Sequence, residues 1–125
     1  MILKYKIYKA VGSFRNMEYL EVTCMENFFS RLKGLMFAKQ ISNNQGALFI
    51  NKNENVLDSS IHMLFMNFDI AVIWLDNSNV IVDKKIAKKW KLLYYPKSKA
   101  SKILETHIEN FDEFQIGDQI IVESY

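Results

Sequence analysis

The sequence predicts a mainly β fold, an antiparallel β-sandwich or partly closed barrel of about eight short strands with one packed helix, spanning residues 1–125 as a single domain. Three observations carry this expectation. Short apolar runs with two-residue alternation recur along the chain, each closed by a turn signal. One stretch, Thr23 to about Lys39, instead has helical spacing. The composition is 50% hydrophobic and 14% aromatic with four glycines and one proline, which suits a folded chain without a linker or low-complexity tract.

Ile2 to Val11 alternates Leu3, Tyr5 and Ile7 with Lys4, Lys6 and Tyr8, the period of a half-exposed strand, until Gly12-Ser13 breaks it. Met17 to Val22 supplies an antiparallel partner, with Leu20 and Val22 inward and Glu18 outward. Thr23-Cys24-Met25-Glu26 has the S/T-x-x-E form of a capping box, in which the hydroxyl and the carboxylate satisfy backbone donors at a helix start. Met25, Phe28, Phe29, Leu32, Leu35 and Met36 then share one apolar helical face, and Gly34 either caps the helix or lets it pack closely.

Asn43 to Gly46 reads as a turn into a short strand, Ala47 to Ile50, followed by a polar loop from Asn51 to Asn55. The segment Ser60 to Asp76 holds two runs, Ile61 to Met66 and Ile70 to Leu75, around the polar pair Asn67 and Asp69. Both runs are apolar on both faces, so both are expected to be central strands. Asp76 to Asn79 turns the chain into a hairpin with Val80 to Val82. Leu92 to Tyr95, Lys102 to His107 and Gln119 to Glu123 complete the set, the last introduced by the Gly117-Asp118 turn.

Composition also excludes some functions. A net charge of +2 is too small for the strong positive field that nucleic-acid binding requires, so no nucleic-acid partner is expected. Lys84, Lys85, Lys88, Lys89 and Lys91, continuing to Lys97, Lys99 and Lys102, read as lysines that solvate edges and loops. The single Cys24 cannot form an intramolecular disulfide. Lys4, Lys6 and Lys9 interrupt what a secretion signal would need as an apolar core, and no run is long enough to span a membrane, which favours a cytoplasmic location.

The segments Arg31-Leu32-Lys33-Gly34-Leu35-Met36-Phe37 and Ile61-His62-Met63-Leu64-Phe65-Met66, with Ala47-Leu48-Phe49, Leu75-Asp76, Trp90, Tyr95-Pro96, Ile103-Leu104-Glu105 and Ile116-Gly117-Asp118, resemble the family known as domain of unknown function 192. The resemblance runs from about Cys24 to Val122 and implies a small β-rich fold with the Arg31 helix laid against it, but no activity. Many relatives in that family carry export signals. The chain departs from the family's Pro-x-Asp pattern, with Asp69 at the Pro position and Ala71 at the Asp position, and Lys89 stands where many relatives have Pro before Trp90.

The polar residues favour a small soluble binding or accessory domain without a catalytic residue, metal or cofactor. The partner is an unknown small molecule, saccharide or protein. Candidate ligand-binding residues are Arg31, His62, Asn67, Asp69 and Trp90. Arg31 sits on an otherwise apolar helical face, where its planar fork suits either a structural bridge to Asp76, Glu105 or Asp118 or an anionic ligand. His62 carries an imidazole, the usual acid or base at neutral pH, but is flanked by apolar positions, which suits a packed ring at a strand start. Trp74, Trp90, Tyr94 and Tyr95 have the faces that line saccharide or peptide grooves or pack into a core.

The rival is a small hydrolase-like enzyme in which His62 and Asp69 act with Cys24 or a bound water, which demands that these groups converge. Cys24 at a helix start would have an activated thiol. Two dispersed histidines, His62 and His107, do not supply the usual zinc set. No nucleophile elbow, zinc-binding helix, phosphate loop or dinucleotide fingerprint is present.

Overall fold

The computed structural model describes residues 3–25, 40–55, 63, 66–91 and 94–125. Among these are seven strands, β1 Leu3–Lys9, β2 Leu20–Met25, β3 Gln45–Asn55, β4 Ile70–Leu75, β5 Ile81–Ala87, β6 Ala100–Thr106 and β7 Ile120–Ser124, with one 3-10 helix, Ile108–Glu113. They form a single sheet in the order β5-β4-β6-β3-β2-β1-β7. Every neighbouring pair is antiparallel except β2 with β3. A parallel pair cannot be joined by a hairpin, so the connection from Met25 to Gln45 is a crossover.

The sheet curls until its two edge strands meet at one end. Ile81 N–H donates to the Asp118 carbonyl at 2.9 Å, Gly117 N–H to the Ile81 carbonyl at 2.8 Å and Ile120 N–H to the Asn79 carbonyl at 2.9 Å. Val80 and Gln119 form the bridging pair. Closure turns the chain sharply before β7, and Gly117 takes a φ of +96° that a side chain rarely adopts. Of the two expected architectures, the partly closed barrel is the one realised.

Strand alternation separates two apolar cores. On one face Ile70, Val72 and Trp74 of β4 pack with Ala47 and Phe49 of β3 and Ile103 of β6, joined by Met63, Met66 and Tyr94. On the other, Ile73 and Leu75 pack with Ile7, Leu20, Val22, Leu48, Leu104 and Ile120, and Phe14 and Phe114 meet edge to face at 5.5 Å. β4 is buried on both faces throughout, as its unbroken apolar run predicts. Fully burying each large aliphatic side chain there stabilises by about 1.5–3 kcal/mol.

Several local expectations are corrected. The capping box at Thr23 does not open a helix: β2 runs through Met25, with Thr23 held between Lys4 of β1 and Ala47 of β3. Two flanking ladders use its backbone groups, so pairing overrides the local cap signal. Asn51 to Asn55 is strand rather than loop, because β3 continues past a bulge to pair Asn55 with Ala100 of β6. The strand read over Ile61 to Met66 lies partly outside the described residues; within it, Met63 and Met66 are buried but belong to no strand. Tyr94 and Tyr95 also lie outside the named strands, while Leu92 and Leu93 lie outside the described residues. The remainder of the stretch read as a helix from its spacing, residues 26–39 with Arg31, lies outside them as well.

Candidate functional site

Three of the five candidate residues meet at the end of the sheet where the chain enters β4 and leaves β5. Met66 and half-buried Phe68 anchor in the core that contains Val72 and Trp74, and Asn67 is exposed between them. Asp69 follows, and the Ile70–Ala87 pairing of β4 with β5 brings it beside Lys88. Its Oδ1 accepts the Lys89 N–H at 2.8 Å and its Oδ2 lies 3.5 Å from Lys88 Nζ. The carboxylate therefore clasps the turn that follows β5.

That turn presents Trp90. Lys88 N–H donates to the Tyr94 hydroxyl at 2.7 Å, Trp90 N–H to the Met63 carbonyl at 2.8 Å, and Met63 N–H to the Lys91 carbonyl at 2.9 Å. Fixed at both ends, Trp90 adopts a φ of +67° and remains 53% exposed. A bulky residue in the left-handed region is an outlier that surrounding structure must hold in place. Lys91 Nζ sits 4.7 Å from the Tyr94 ring centroid, which gives this side of the tip a positive charge over an aromatic face.

Arg31 and His62 lie outside the described residues; His62 immediately precedes Met63, whose backbone is bonded to the tip. Of the three acids expected as structural partners for Arg31, two have turn duties. Asp76 Oδ1 accepts the N–H groups of Ser78 at 2.9 Å and Val80 at 3.0 Å, and Asp118 Oδ2 that of Gln115 at 3.3 Å. Glu105 is the third acid. It is buried in β6 opposite Ala47 and Val72, on the face that carries Trp74 and Phe49.

The convergence required of an enzyme is not seen among the described residues. Cys24 lies within β2 and not at the helix start expected for it, and β3 and β6 stand between β2 and β4. Three strand spacings amount to about 14 Å. Ala71, at the family's aspartate position, is fully buried opposite Thr106 and Ile86. His107 caps the 3-10 helix, its Nδ1 accepting the Glu109 N–H at 3.0 Å. Among the described residues no group of three or more His, Cys, Asp or Glu side chains is placed to hold a metal.

Two other polar concavities satisfy themselves. A groove of about 510 Å³ lined by Leu3, Lys4, Tyr5, Glu21, Ser124 and Tyr125 is closed on one side by the Tyr125 hydroxyl, which donates to Glu21 Oε2 at 2.6 Å. That bond, against desolvation and with help from Lys4, holds the Glu21 carboxyl below its usual range and raises the Tyr125 phenol. Beside the 3-10 helix, a cavity of about 50 Å³ is bounded by Arg15 and Glu113. Burial pushes the Glu113 carboxyl up, but hydrogen bonds from the Arg15 side chain and backbone and the charges of Lys9 and Arg15 outweigh it and leave the group below the usual value.

Sequence reading missed the lysines and the Met63 carbonyl as parts of the Trp90 site. Lys88 and Lys89 reach Asp69 only because the β4–β5 register slips, which the sequence does not signal.

Comparison with known proteins gives the same fold and no assigned chemistry. The family model DUF192, described as an uncharacterised ACR, matches residues 11–122. A UPF0127 protein of Thermococcus kodakarensis is 45% identical over 68% of this chain and 52% of its own length, and one of Thermococcus sibiricus is 41% identical over 79% and 64%. The chain thus spans about half to two-thirds of these relatives. A Sinorhizobium meliloti structure, described as a candidate transcription regulator, superposes with a TM-score of 0.82 at 15% identity, covering 98% of this chain and 94% of that one. A protein of unknown function from Novosphingobium aromaticivorans gives 0.79 at 13% identity, covering 96% and 84%. At these identities the likeness concerns fold alone. No helix among the described residues is long and apolar enough to cross a membrane.

Proposed function

We propose a binding role for this chain, which belongs to the DUF192 family, the uncharacterised group whose curated members carry the UPF0127 name. The chain is a non-enzymatic binding or accessory domain whose ligand seats at the β4–β5 end, on Trp90, Asn67 and the clasp made by Asp69. Arg31 and His62 flank this site in the proposal, Arg31 through a bond to Glu105 and His62 as a packed ring.

One observation carries the reading: an exposed tryptophan in a left-handed backbone conformation, held by three hydrogen bonds that tie Lys89, Trp90 and Lys91 to Asp69 and Met63. Strain of this kind costs about 1–3 kcal/mol and persists where the surrounding structure over-determines it, a pattern concentrated at ligand clamps. Asp69 supports binding over catalysis, since both its oxygens are engaged by Lys88 and Lys89.

The test is a chemical-shift map of the isotope-labelled chain against a panel of small metabolites, peptides and oligosaccharides. A ligand that perturbs the amides of Asn67 to Asp69 and Lys88 to Lys91 without being converted supports the reading. Turnover of any panel member, or binding confined to other parts of the sheet, contradicts it.

A further inference from the structure

We propose that the ligand seated on Trp90 is a saccharide bearing acidic groups, an inference that rests on the binding role argued above. Eight of the sixteen basic residues fall between Lys84 and Leu104, and none of the fourteen acidic ones does. The structure engages four of these lysines with oxygen partners and sets a fifth, Lys91, over the Tyr94 ring at 4.7 Å. Lys84 Nζ donates to the Phe111 carbonyl at 3.1 Å, Lys85 Nζ donates to the Tyr95 carbonyl, Lys88 meets Asp69 at 3.5 Å and Lys97 meets Asp83 at 3.8 Å. Lys89 and Lys91, both exposed, flank Trp90 at the tip.

Two exposed lysines on either side of one exposed tryptophan in the chain suit a short acidic ligand. A nucleic-acid strand draws on more, about six to ten phosphate contacts in a typical complex. Asn67 adds the amide donors and acceptor that read hydroxyl groups, chemistry that a lipid surface would not use. A pyranose offers what this arrangement matches: a flat face of C–H groups for the indole, hydroxyls for the amide and a carboxylate or sulfate for Lys89 and Lys91.

The experiment titrates tetragalacturonate and the neutral cellotetraose into the full chain, reading tryptophan fluorescence and calorimetry. Trp90 is 53% exposed and Trp74 fully buried, so a change in fluorescence reports the tip. The acidic sugar is expected to bind at least about tenfold more tightly at low salt, because two surface charge pairs each contribute on the order of a few-fold in water. That advantage collapses towards 1 M salt, where screening reaches about 3 Å, and it disappears in the Lys89→Gln/Lys91→Gln variant, with circular dichroism confirming the fold.

Equal binding of the two sugars overturns the inference, as does tighter binding of oligothymidylate or of phosphatidylglycerol vesicles. If neither sugar binds while another small molecule perturbs the Asn67–Asp69 and Lys88–Lys91 amides, the acidic-saccharide inference fails and the binding reading stands. If no ligand perturbs those amides, both fail.

Discussion

Replacing Glu113 with Gln should destabilise the domain by about 2–3 kcal/mol, whereas Arg15→Ala should cost about 1 kcal/mol or less. Glu113 is 6% exposed, and its Oε1 accepts from Arg15 Nε at 3.0 Å while its Oε2 accepts from the Arg15 N–H at 3.3 Å and lies 3.5 Å from Lys9 Nζ. The Arg15 side chain is 72% exposed and rehydrates when its partner is lost, but that of Lys9 is only 17% exposed and keeps part of its desolvation cost. The loss is therefore that of a charge-assisted hydrogen bond in a mostly buried site, short of the 3–5 kcal/mol typical of a fully buried pair. At roughly 4 °C per kcal/mol for a chain of this size, Tm should fall by about 8–12 °C in calorimetry near pH 7. The folded-state carboxyl titrates below its unfolded value, so its contribution is complete above the usual Glu range and is lost as pH falls through the folded value. The gap between wild type and Glu113→Gln should close on acidification. A gap that widened below pH 4, or an Arg15→Ala loss equal to that of Glu113→Gln, would refute the reasoning.

Three further outcomes follow from the geometry. Gly46→Ala should cost several kcal/mol in denaturant melts, since a Cβ at that position would stand 2.6 Å from the Glu105 carbonyl oxygen in a strand that cannot shift without breaking its ladder; a neutral effect would mean that β3 and β6 pair differently. If Arg31 bonds Glu105, Arg31→Ala and Glu105→Ala should each cost about 3 kcal/mol or more and the double variant little more than either, whereas additive losses in the mutant cycle would remove that pairing. His62→Trp should leave stability and ligand binding largely unchanged while His62→Asp destabilises, because a flat ring suits an apolar neighbourhood and a new charge does not; equal melting curves for the two would sink the packed-ring reading.

The strands that could be read from sequence are those whose own apolar pattern sets their burial. β4 matches its expected bounds because every one of its residues is apolar, and Leu20 and Val22 face inward as their spacing requires. Thr23 and Asn51 misled because their local preferences, a helix cap and a loop, yield to ladders formed with residues far along the chain. The clasp at the candidate site was hidden for a related reason. A hairpin drawn straight from the Asp76–Asn79 turn pairs Leu75 with Val80 and so sets Asp69 opposite Ile86. The observed hairpin pairs Leu75 with Ile81 and slips by another residue before Trp74, which carries Asp69 to Lys88. A bulge of that kind leaves no mark in composition or periodicity. The left-handed backbone at Trp90 was equally invisible, since nothing about an aromatic residue announces a positive φ.

The claim that Trp90 is held in strain for binding is tested most directly by Trp90→Gly, followed by thermal melting and the same ligand titration. Glycine adopts the observed φ of +67° without penalty, which returns about 1–2 kcal/mol and is partly offset by about 0.5–1 kcal/mol of extra unfolded-state freedom. The account predicts a Tm equal to or slightly above that of the wild type together with loss of ligand binding. A variant that melts well below wild type while still binding would contradict it, since Trp90 would then serve the core rather than the ligand.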